Sequence, residues 1–65
     1  MTKEQQEAIQ KDGANARALG RSELDNPYLD RALMPGATGE SVEQWQEKYD
    51  AWRFGWIAEN LMARR

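Results

Sequence analysis

Residues 42–63, VEQWQEKYDAWRFGWIAENLMA, hold five of the six aromatic side chains in this 65-residue chain. At about 100° per residue, Trp45, Tyr49, Trp52 and Trp56 fall within roughly 60° of one another, which is the repeat of one helix face, and Val42 extends the stripe. Ser41-Val42-Glu43-Gln44 has the spacing of a capping box, and Glu43 suits the positive end of a helix dipole, so a helix is expected over about 42–63. Arg64 and Arg65 would place cations at its negative end. The aromatic stripe is read as core: Trp45, Tyr49, Trp52 and Trp56 are structural, and Gly55 leaves room beside Trp52 and Trp56. Phe54, Ile57, Ala58 and Leu61 form a second apolar set nearly opposite. One helix cannot bury both faces against one partner. Either Leu29 and Leu33 cover the second set, or Phe54, Ile57 and Leu61 meet a protein partner or a second copy.

The stripe needs a small-faced partner, and the N-terminal segment supplies one. Thr2-Lys3-Glu4-Gln5 is a capping box opening a helix over about 3–19, and Ile9, Gly13, Ala16 and Gly20 share an almost flat face. Gly13 in mid-helix costs about 1 kcal/mol relative to Ala, tolerable where the missing side chain admits another helix. Gly20 can take the left-handed conformation that ends a helix. Asn26 is a good N-cap, Pro27 suits a first helical position, and Leu29 and Leu33 lie one turn apart, which predicts a short helix over about 27–33. Residues 34–40 contain Pro35, Gly36 and Gly39 without periodicity and read as an exposed, flexible loop. Its Gly36-Ala37-Thr38-Gly39 lacks the lysine and preceding strand of a phosphate-binding loop, and Glu40 and Glu43 repel phosphate. The fold class is therefore all-α: one small domain over 1–65, with two main helices packed through the aromatic stripe against a Gly/Ala face and an irregular connector containing the short helix.

Composition narrows the chemistry. The chain has no cysteine and no histidine, which removes thiolate and imidazole metal sites and the common nucleophile–base pairs; no catalytic residue, metal or cofactor is assigned. The N-terminus is charged, and no apolar run is long enough to span a bilayer, so neither membrane insertion nor export is expected and the cytoplasm is the default location. The net charge of −2 is uneven: residues 40–51 sum to −3 and 52–65 to +2. A chain with this balance does not coat nucleic acid generally, so any such contact must be local.

Gly13, Gly20-Arg21-Ser22, Pro27-Tyr28 and Trp52-x-x-Gly55-Trp56, in this order, resemble the ribosome modulation factor family, which includes a small plasmid-borne ciprofloxacin-resistance protein. The resemblance covers about residues 10–30 and 50–60. It implies two helices joined by a connector carrying the Pro-Tyr element, and a factor that binds the small ribosomal subunit, contacting 16S rRNA and ribosomal proteins, and inhibits translation without catalysis. On that basis Gly13, Gly20, Pro27, Tyr28, Trp52, Gly55 and Trp56 would be scaffold. Arg21 and Ser22 would face ribosomal RNA, with Arg17, Arg53 and the Tyr28 ring as additions, because arginine forks suit phosphate and tyrosine stacks on exposed bases. This chain departs from the family in its acidic balance and in the acidic insert 29–51. Two other readings stay open: a protein-interaction module, of a kind a mobile element could carry, that binds a host protein through Phe54, Ile57 and Leu61, and the fluoroquinolone-modifying phosphotransferase activity described for the resistance relative.

Overall fold

A computed structural model describes residues 1–63; Arg64 and Arg65, expected to close the long helix, lie outside the described residues. Helix α1 (Lys3–Ala18) opens as its sequence predicts: the Thr2 hydroxyl accepts from the Gln5 amide at 3.1 Å, and the Gln5 side chain accepts from the Thr2 amide at 3.1 Å. It closes on Gly20 at φ +82°, where the Gly20 amide donates to the Arg17 carbonyl and the Arg21 amide to the Ala16 carbonyl, each at 2.9 Å. These two reciprocal bonds satisfy carbonyls that a helix end otherwise leaves free. Leu19, expected as the last helical residue, is the cap.

The connector departs from the expectation of one short helix over 27–33. It is a run of 3₁₀ turns at Glu23–Asp25, Pro27–Leu29 and Arg31–Leu33, restarted every four residues by Ser22, Asn26 and Asp30. Each of these side chains accepts from the amide two residues on, so it offers the backbone a turn in place of a continuous helical ladder. Asp30, with ψ 132°, is extended and breaks the segment that sequence periodicity joined. Residues 34–40 likewise are not an unstructured loop: Pro35 starts a helical turn, α2 (Pro35–Thr38), which Gly39 closes at φ +78°. A proline in first position loses no bond there and its fixed φ is already helical.

Helix α3 (Val42–Ala63) starts at the second capping box, with Ser41 Oγ accepting from the Gln44 amide at 3.1 Å and Gln44 Oε1 accepting from the Ser41 amide at 3.2 Å. The two long helices pack against each other and run in the same direction. Near one end the Met1 ammonium lies 3.8 Å from Glu47, at mid-length Gly55 sits on the Gln10 carbonyl, and further on Arg17 bonds Asn60 at 2.8 Å. The connector must therefore carry the chain back. It descends beside α3, with the Arg21 carbonyl accepting from Trp56 Nε1 at 2.9 Å, Asn26 Nδ2 donating to the Tyr49 carbonyl at 3.2 Å, and the Tyr28 carbonyl accepting from Trp45 Nε1 at 2.8 Å. A Lys48–Glu40 ion pair at 2.9 Å ties the entry to α3.

The crossing of α1 and α3 is a backbone contact. A Cβ added at Gly13 would stand 2.0 Å from the Trp52 carbonyl oxygen, and one added at Gly55 would stand 1.8 Å from that of Gln10. With Cα–Cβ near 1.5 Å, both glycine Cα atoms lie within about 3.5 Å of those oxygens, the range of Cα–H···O contacts between helices. The arrangement is locally two-fold, because each glycine meets the carbonyl three residues before the opposite glycine. Gly55 thus makes room for the α1 backbone, not for the flanking rings as its position in the stripe suggested. Around this crossing Trp52 is 3% exposed, and Ala16 and Ala51 are buried. The outer rings Trp45 and Tyr49 stack at 5.4 Å, and the connector gives the stripe its second partner. Among the described residues no helix is long and apolar enough to cross a membrane.

Candidate functional site

Four of the five residues assigned to RNA contact lie toward one end of the helix pair, and two of them, Arg17 and Arg21, meet Trp56. Arg17 reaches it from the last turn of α1: its guanidinium lies 5.9 Å from the ring centre, and Nε donates to Asn60 Oδ1. Arg21 follows Gly20, and its carbonyl takes the indole N–H while the residue stays exposed. Arg53, one turn before Trp56, pairs through Nε with Glu23 Oε1 at 3.7 Å. Ser22 is committed to local structure, its hydroxyl accepting from the Leu24 amide at 3.2 Å and its amide donating to Asp25 Oδ2 at 3.0 Å. Within the group one guanidinium, that of Arg53, faces a carboxylate, that of Glu23, while the Asp25 carboxylate is taken by the Ser22 amide. Of the arginines, Arg21 has no ion pair or side-chain hydrogen bond among the described residues, whereas Arg17 is held on an indole face and Arg53 must exchange a carboxylate to meet a phosphate.

Tyr28 is apart from this group. Its carbonyl is taken by Trp45, and its ring borders a cleft of about 280 Å³ with Ile9 and Lys48. Burial raises the phenol pKa above its ordinary value, with the Asp12 and Glu40 charges adding in the same direction and Lys48 opposing. The ring is half-buried and so offers only part of a face for stacking on a base. Of the four acids of α3, Glu43, Glu47 and Asp50 lie in its N-terminal half, while Glu59 stands one turn after Trp56, at the arginine end.

The second apolar set is left uncovered. Phe54 is 63% exposed and Leu61 64%, with Ile57 half-buried between them. The Pro27–Leu29 turn, offered by the sequence as a cover, instead packs on the aromatic side through Asn26 and Tyr28. Phe54 borders an open groove of about 640 Å³ that also involves Gln6, Gln10 and Glu47. Among the described residues no three carboxylates are grouped as metal ligands would be.

Two asparagine contacts were not read from sequence, the bond from Asn26 to α3 and the bond between Asn60 and Arg17. Asn26, 3% exposed, accepts from the Tyr28 amide and donates to α3, so one side chain caps the turn and ties it to the helix. Its capping half was legible in Asn26-Pro27. Asn60 holds Arg17 from 43 residues away, and nothing local marks it. The Ser22 box had a readable signal, Ser-x-x-Asp, in which aspartate stands where glutamate or glutamine is usual. Comparison with protein-family models, curated proteins and solved structures finds no match.

Proposed function

We propose that this chain is a non-catalytic, ribosome-associated factor of the modulation-factor type, which binds the small subunit through 16S rRNA and ribosomal protein and blocks translation by occupying its site. What supports the reading is that the elements carrying the resemblance are partners in space. Gly13 meets Trp52, Gly55 meets Gln10, Gly20 turns Arg21 toward Trp56, and Tyr28 meets Trp45. They form one scaffold that gathers Arg17, Arg21 and Arg53 toward the end of α3 opposite Glu43 and Glu47, with Glu23 and Glu59 the acids at the same end. On this reading Arg21 makes the leading phosphate contact, and the protein works in the cytoplasm, where ribosomes are. The Phe54, Ile57 and Leu61 face is unused.

Co-sedimentation with stationary-phase ribosomes tests it. Three phosphate contacts to unpaired RNA imply a log–log salt slope of about −2, so threefold more salt weakens binding about tenfold. Arg21→Glu should abolish co-sedimentation while leaving the helical signal unchanged. Protein that stays in the supernatant at low salt, or binding indifferent to both salt and Arg21→Glu, refutes the proposal.

A further inference from the structure

The chain exposes 4808 Å², whereas a compact monomer of its 7.5 kDa mass exposes about 4,250 Å². The excess, about 550 Å², approaches the roughly 800 Å² that each partner contributes to a standard protein interface. Among the described residues no side chain is fully buried, so the core of the isolated chain is thin. Exposed Leu19, Leu24 and Val42 are scattered, but Phe54, Ile57, Ala58 and Leu61 fall within an arc of about 100° on α3 and form one seam.

The chemistry of that seam selects its occupant. Continued toward the N-terminus, the same arc carries Glu43, Glu47 and Asp50. A foreign partner covering the whole arc would have to supply cations against Glu43 and Asp50, Glu47 already facing the Met1 ammonium. A parallel copy would set acid against acid. An antiparallel copy, with its two-fold axis between Ile57 and Ala58, sends the acids to opposite ends and places Phe54 against the partner's Leu61 and Ile57 against the partner's Ala58, large against small at the axis. We propose that a second copy of this chain covers this face, through an antiparallel, isologous α3–α3 contact. The seam is short, so the dimer is weak and depends on concentration.

Sedimentation equilibrium from micromolar to millimolar protein should show the mass rising from 7.5 kDa toward twice that value. Phe54→Glu and Leu61→Glu, both at exposed positions, should weaken association at least tenfold with far-ultraviolet dichroism unchanged. The chain has no cysteine, so Phe54→Cys and Leu61→Cys chains can be mixed under mild oxidation. The two-fold sets 54 opposite 61 at the centre of the seam, so the mixed disulfide should form faster than either homodimer. A strict monomer at millimolar concentration, association untouched by both glutamate variants, or faster homodimeric crosslinking each overturns the proposal. None of these measurements involves ribosomes, so they stand or fall apart from the ribosome reading.

Discussion

Adding one methyl group at Gly13 or Gly55 is the sharpest test of the fold. The new Cβ would stand 2.0 Å or 1.8 Å from a carbonyl oxygen that belongs to a helix backbone and cannot rotate away. Ordinary contact needs about 3.5 Å, so α1 and α3 must part by about 1.5 Å at their crossing. That movement opens the packing around Trp52 and lengthens the Arg17–Asn60 and Trp56–Arg21 bonds. Overpacking costs about 1–3 kcal/mol, occasionally more, and alanine returns about 1 kcal/mol of helix propensity. With a fixed backbone as the obstacle the cost falls at the top of that range, so a net loss of about 2 kcal/mol is expected, out of a total stability of about 3–10 kcal/mol for a chain of this length. Gly36 supplies the control: it is helical, has nothing within 4 Å of an added Cβ, and should gain about 0.4–1 kcal/mol as alanine. Gly20→Ala, with open space but φ +82°, should lose about 1–2 kcal/mol from backbone strain alone. The double variant Gly13→Ala/Gly55→Ala should cost clearly less than the sum, because one methyl already parts the helices and makes room for the second. Urea unfolding followed by circular dichroism measures all five variants. If Gly13→Ala and Gly55→Ala are as stable as Gly36→Ala, or if the double variant is additive, the close parallel crossing is wrong.

Three further outcomes follow from the side-chain contacts. Asn26→Ala should lower stability by about 1–3 kcal/mol, the sum of a lost cap and a lost buried hydrogen bond, and thermal melts should show Asn26→Asp recovering only the capping part, since a carboxylate cannot donate to the Tyr49 carbonyl. A double-mutant cycle with Arg17→Met and Asn60→Ala should give a coupling of about 1 kcal/mol; zero coupling would mean that the 2.8 Å bond does not persist in solution. Stability should fall as pH rises above about 10, because the unfolded chain ionises Tyr28 before the folded protein, whose buried phenol has a raised pKa, and because the Lys48 ammonium, raised by its bond to Glu40, loses that pair as pH climbs through its folded value. Tyr28→Phe should flatten the first part of this decline, and an unchanged alkaline profile would refute the burial argument. The Lys48 contribution is small, since the pair is open to solvent.

The sequence alone sets what depends on neighbours along the chain. Thr2 with Gln5 and Ser41 with Gln44 start the long helices where capping chemistry puts them, Gly20 ends the first, and the 3–4 spacing from Trp45 to Trp56 marks the face that packs. It misjudged the connector because periodicity at Leu29 and Leu33 was weaker than the local pull of the Asn26 and Asp30 side chains, and because Pro35 reads as a breaker although it begins a turn. Of the candidate site, the residue types were legible and their arrangement was not. The packed fold alone reveals that α1 and α3 run parallel, that Gly13 and Gly55 each rest on a carbonyl of the other helix, that Arg17 and Arg21 meet Trp56 and Arg53 meets Glu23 while Tyr28 sits apart, and that the connector leaves Phe54 and Leu61 uncovered. Such contacts join residues 23 to 43 positions apart, and their free energy depends on distances and directions that no local propensity encodes.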